Sequence, residues 1–96
     1  YWSVTGQLKC AFDRLFAVAE CNEDYANPEK DCIMLMAAEG ESDDNFAPVV
    51  NYYESLLKHM KWNNLGMIKA GGVFAIGDIK GHKALQEAET LGKSIK

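Results

Sequence analysis

Few residues of this chain are of the kind that make or break bonds, and their placement narrows the chemistry. The three cysteines, Cys10, Cys21 and Cys32, are an odd number without CxxC spacing, so zinc or iron–sulfur ligation lacks its clustered ligands. They read as reduced thiols. His59 and His82 lie in different segments, and each reads as a helix-surface or helix-start residue rather than a ligand. The acids gather in Glu39-Gly40-Glu41-Ser42-Asp43-Asp44, a solvated loop and helix cap rather than a general acid–base pair. What remains is a pair of loops and the aromatics beside them. Tyr1 and Trp2 lead through Ser3-Val4-Thr5-Gly6 into a helix. A second loop, Ala37-Ala38-Glu39-Gly40, follows an apolar run. It would leave a strand at its carboxyl end, where ligands bind in open α/β sheets. Its small residues permit close backbone approach.

These loops need elements to hold them. From Leu8 the apolar residues fall at Leu8, Ala11, Phe12, Leu15, Val18 and Ala19, a helical stripe. Lys9 and Asp13, four apart, can pair on its outer face. Cys21 to Lys30 is polar, contains Pro28 and reads as a loop. Cys32 to Ala38 is a continuous apolar run, read as a strand buried on both faces. A second helix carries Phe46, Val49, Val50, Tyr53, Leu56, Leu57 and Met60 on one face, with Asp44 or Asn45 as its cap and Pro48 in its first turn. Asn63-Asn64 and Gly66 are read as its stop. Met67 to Ile76 is the second strand candidate, interrupted by Gly71-Gly72, which mark a bend or close approach. Gly77 to Gly81 turn the chain into a last helix with Ala84, Leu85, Ala88, Leu91, Gly92 and Ile95 inward. The order is helix–strand–helix–strand–helix, an α/β layer with parallel strands.

Composition sets the outer limits. Ninety-six residues with 48% hydrophobic content make one small domain. The net charge is −4 and no basic stripe exists, which argues against nucleic acid. No apolar run approaches the roughly 20 residues that span a bilayer, and no signal-peptide pattern opens the chain, so the expected location is cytoplasmic. Tyr1 in place of an initiator Met suggests a fragment or a processed product. Two strands cannot cover three amphipathic helices and are seldom stable alone. Another polypeptide, or a second copy, is expected to complete the sheet.

The run from Tyr1 to Arg14, with Gln7-Leu8-Lys9 and Phe12-Asp13-Arg14 in its helix, resembles the flavin-contacting mid-chain segment of the flavodoxin-like NADPH-dependent FMN reductases and NAD(P)H:quinone oxidoreductases. The resemblance continues through Ala37-Ala38-Glu39-Gly40, Tyr52-Tyr53, Trp62, and Ala84 to Ala88 with Leu91-Gly92. It implies an α/β, flavodoxin-like three-layer fold of strand order 2-1-3-4-5. Tyr1 would end strand three, Cys32–Ala38 would be strand four and Met67–Phe74 strand five. Residues 1–96 would then be the carboxyl-terminal part of one domain. The Ser/Thr/Gly-rich phosphate loop of the family has no counterpart here. Gly77-Asp78-Ile79-Lys80-Gly81 carries an acid and no hydroxyl, which makes a poor phosphate cradle.

By the same resemblance, FMN is the cofactor and NAD(P)H the co-substrate, with electrons passing to a quinone or another acceptor. Tyr1, Trp2, Ser3, Val4, Ala37, Ala38, Glu39 and Gly40 are the implied flavin contacts. A flat ring needs apolar faces and a few hydrogen bonds at its polar edge. The family's catalysis is ring positioning, so no catalytic side chain and no metal is assigned. The acids after Gly40 would repel nicotinamide nucleotide phosphates, and no such contact is placed there. Each assignment has a structural alternative. Tyr1 and Trp2 can belong to a core or fray, Ser3 or Thr5 can simply cap a helix, and Ala37–Gly40 can be an ordinary turn. The competing reading for the chain is a half-flavodoxin interaction module without flavin, stabilised by self-association or by its missing half.

Overall fold

The computed structural model describes residues 2–96, so the expectation placed on Tyr1 lies outside the described residues. The chain forms α1 (Gly6–Glu20), β1 (Asp31–Ala37), α2 (Ala47–Met60), β2 (Asn63–Ala70) and α3 (Lys83–Ser94), with short 3-10 turns at Glu23–Tyr25 and Asp43–Asn45. It is a mixed α/β fold whose two strands pair in parallel. The element order is the one read from periodicity.

α1 begins where its cap dictates. Thr5 has extended backbone, and its Oγ1 accepts the Leu8 amide at 3.2 Å, leaving one fewer unpaired donor in the first turn. Lys9 pairs with Asp13 on the solvent side. α2 starts differently from expectation. Neither Asp44 nor Asn45 caps it. Ser42 caps the preceding 3-10 turn by accepting the Asp44 amide, Phe46 occupies the α2 N-cap position, and Pro48 sits in the first turn. With Phe46 side chain buried, the helix entry is fixed by packing rather than by a polar cap.

The larger correction concerns β2. The strand runs over Asn63–Ala70, not from Met67 to Phe74 or Ile76. α2 ends at Lys61, whose backbone is left-handed (φ 56°), while the Trp62 amide donates to the Leu57 carbonyl at 3.0 Å. Asn63 and Asn64 are therefore strand residues, opposite Asp31 and Cys32. The register then slips, so that Ile33 faces Gly66 and Leu65 is extra. This bulge frees the Gly66 amide, and Asn64 Oδ1 accepts it at 3.0 Å. The Tyr53 hydroxyl donates to the same oxygen at 3.3 Å. A buried phenol thus finds a partner at the irregularity, as buried polar groups require.

Alternation along the strands separates two cores. On one face Met34, Val49, Tyr53 and Leu57 are buried, with Val4, Cys32, Met36, Trp62 and Met67 packed around them. On the other, Ile68 and Ala70 of β2 meet Ala84 of α3, bordered by Val73, Ile79, Ala88 and Leu91. α2 and α3 therefore take opposite faces. β1 is not buried on both faces as expected, because Leu35 remains 65% exposed. α3 covers β2 and leaves Leu35 open. Of the residues expected inward, Leu8, Ala11, Val18, Leu85, Gly92 and Ile95 are exposed as well.

Candidate functional site

The ladder continues past the ends of both strands. The Ala38 amide donates to the Ala70 carbonyl and the Val73 amide to the Ala38 carbonyl, both at 3.0 Å. Ala38 is thereby fixed by two backbone bonds. Beyond it the loop turns over Asn45, and a Cβ at Gly40 would collide with the Asn45 side chain. The Asn45 amide group is itself held by the Ser42 carbonyl at 3.2 Å. A larger residue at this place would have to displace the Asn45 side chain.

Facing this loop is the turn into α1. Val4 packs against the Met34–Tyr53 core, and Thr5 is committed to its cap. Trp2 has a left-handed backbone (φ 53°) and is 65% exposed. A bulky residue in that region is uncommon. Between the turn and the loop runs an open groove of about 890 Å³. Trp2, Ser3, Val4, Ala37, Ala38, Glu39 and Gly40 all line it. Sequence separation of more than thirty residues is closed here by β1 and by the seating of Val4 on the core.

The groove also contains residues that sequence reasoning did not assign to a site. The side of β1 contributes Met34, Leu35 and Met36, and Phe46 and Val49 belong to the start of α2. The inward pattern at Phe46 and Val49 identified them as core residues. Their position at the first turn of a helix following the loop was the available signal for a site floor. Phe46 is 3% exposed, with Lys69 Nζ 6.0 Å from its ring centre on the far side. Lys69 in turn pairs with Asp43 at 3.1 Å.

The chemistry of the lining is narrow. Aliphatic and aromatic side chains share it with hydroxyls at Ser3 and Thr5, one amide at Asn45 and one carboxylate at Glu39. Among the described residues no Lys, Arg or His lines it. Behind it, burial and then the nearby Asp31 push the Cys32 thiol up, which keeps it a protonated thiol rather than a nucleophile. Burial likewise raises the Tyr53 phenol. No cluster of three or more His, Cys, Asp or Glu among the described residues can hold a metal ion. No helix among them is long and apolar enough to cross a membrane. The arrangement can receive a flat group on small residues and an aromatic, and among the described residues its lining offers no cationic side chain to an anion.

No protein-family model, no curated protein and no solved structure matches this chain.

Proposed function

We propose that this chain forms the ring-binding part of a flavodoxin-like, FMN-dependent NAD(P)H oxidoreductase. The observation that carries the reading is the convergence of Trp2, Ser3, Val4, Ala37, Ala38, Glu39 and Gly40 on one groove at the carboxyl end of β1. The residues fit the isoalloxazine ring and do not fit the phosphate. For the ring there are an exposed indole, small side chains that leave space, and the loop amides of Glu39 and Gly40, which have no acceptor among the described residues. For the phosphate no Lys, Arg or His among the described residues lines the groove, and Glu39 opposes an anion.

Bound flavin supplies hydride acceptance from NAD(P)H and electron delivery to a quinone or another acceptor. The chain's own part is geometric. Trp2 offers one face for stacking, the loop backbone offers donors to the ring's polar edge, and Met34, Val49 and Phe46 exclude water from below. The phosphate grip would come from a segment outside these residues.

A second reading, an interaction module that binds no flavin, draws on a different observation. Among the described residues the sheet has two strands, fewer than such a layer needs, and Leu35 lies open on one face.

Flavin fluorescence separates the two. FMN and riboflavin are titrated separately into the purified chain, with its mass in solution measured on the same sample. The oxidoreductase reading expects weak quenching with both, at affinities within about threefold because the phosphate adds nothing. Tight binding of FMN alone would contradict the missing phosphate grip. No quenching by either, together with self-association, would replace the ring site with the interaction module.

A further inference from the structure

A second hollow opens at the carboxyl end of β2, and His82 forms part of its wall. The imidazole joins two elements. Its Nε2 lies 3.0 Å from the Gly71 carbonyl oxygen, one residue past β2. Its Nδ1 lies 3.0 Å from the Ala84 amide nitrogen, in the first turn of α3. A carbonyl oxygen only accepts and an amide N–H only donates. One neutral tautomer satisfies both: Nε2 carries the proton and Nδ1 the lone pair. His82 is thus the N-cap of α3, a task usually given to an oxygen that stays an acceptor across the ordinary pH range.

We propose that His82 is a proton-operated latch between α3 and the end of β2. The neutral ring holds both. A proton on Nδ1 removes the acceptor and sets two donors against each other, so the Ala84 amide is released while Nε2–H keeps its bond to Gly71.

Charged side chains share the hollow with His82. Lys69 on β2, Lys83 and Glu87 on α3, Glu41 in the loop and Asp43 in the 3-10 turn line the same hollow. Lys69 and Asp43 are paired at 3.1 Å, while Glu41 and Glu87 form no ion pair among the described residues. Three carboxylates and two ammonium groups thus line the hollow that His82 borders.

The latch also reaches the groove. A Cβ built on Gly71 would sit 3.0 Å from both Glu41 Cα and the Gly40 carbonyl oxygen. The backbone that His82 holds is therefore packed directly on the loop that forms the groove wall. Nothing in this step depends on which ligand the groove takes.

The test is a pH titration of the full chain by NMR. Long-range ¹⁵N–¹H correlations give the His82 tautomer, and hydrogen exchange gives the protection factor of the Ala84 amide. The latch requires the Nε2–H tautomer at neutral pH, and a roughly fivefold fall in Ala84 protection as His82 titrates. Titration of His59, exposed on α2, should leave Ala84 unchanged. His82→Asn keeps a side-chain acceptor that does not titrate and should flatten the response. An Nδ1–H tautomer at neutral pH, or Ala84 protection indifferent to His82 titration, would overturn the proposal. So would an unchanged pH response in H82N. If that variant does not fold, the wild-type tautomer and protection data decide alone.

Discussion

In α2, Val49, Tyr53, Leu57 and Met60 are all buried, whereas in α1 only Ala19 is. Both helices carry apolar residues at spacings of three and four, and both are of similar length. Their difference lies in what stands beside them. Two paired strands span about 10 Å, close to the diameter of one helix with its side chains. Each face of this sheet therefore seats one helix. α2 takes one face and α3 the other. α1 is held at its start by Val4 and along its length by Phe12, whose ring lies 6.3 Å from that of Tyr52. Phe16 remains 69% exposed. An apolar stripe states that a helix has a face to cover; the width of the sheet decides whether it is covered.

The comparison breaks most directly at the two stripes themselves. Leu57→Ala should lower unfolding stability by about 2–5 kcal/mol, the usual range for a buried leucine. Phe16→Ala should stay within about 0.5 kcal/mol. Urea unfolding of both variants measures this, and similar losses at the two positions would mean that α1 is packed in solution.

A smaller effect is expected where the loop after β1 packs on the end of β2. Gly71→Ala places a Cβ against Glu41 and Gly40 backbone, atoms that cannot swing aside. A loss of about 1–3 kcal/mol is expected, read as a lower denaturation midpoint at unchanged slope. A neutral outcome would show that the Gly40–Glu41 loop stands off from β2.

The weakest effect belongs to the loop after β2, outside both stripes. Asp78 Oδ2 accepts the amides of Ala75 at 2.7 Å and Phe74 at 3.0 Å, and these bonds hold its carboxyl below the ordinary aspartate range. A depressed folded pKa contributes stability that is complete above the unfolded value and lost as pH falls through the folded one. Amide exchange at Phe74 and Ala75 should accordingly lose protection only under strongly acidic conditions. Asp78→Asn should bring part of that loss to neutral pH. The site is exposed, so global stability should barely move.

These cases also explain how much was legible beforehand. Periodicity located all three helices, a continuous apolar run located β1, and the Thr5 cap was among the two expected. β2 was misplaced because Asn and Gly are the usual left-handed stops, whereas Lys61 takes that conformation here. The asparagines then became strand and bulge residues, which no local pattern announces. The Gly71-Gly72 pair was correctly read as a close approach, but it lies just beyond the strand rather than within it. Seven of the expected ligand residues meet in one groove, since short strand ends bring their loops together. Phe46 and Val49 were recognised as core only, because burial and site-lining leave the same apolar signature in sequence.

The central claim, that the groove between the α1 turn and the β1 loop receives a flat ring, is tested most directly by ¹⁵N–¹H NMR of the chain with added riboflavin. The account predicts fast-exchange shifts confined to residues 2–8, 34–40 and 45–49, and their loss in Trp2→Ala. Spectra unchanged at saturating riboflavin, or shifts centred elsewhere, would contradict it.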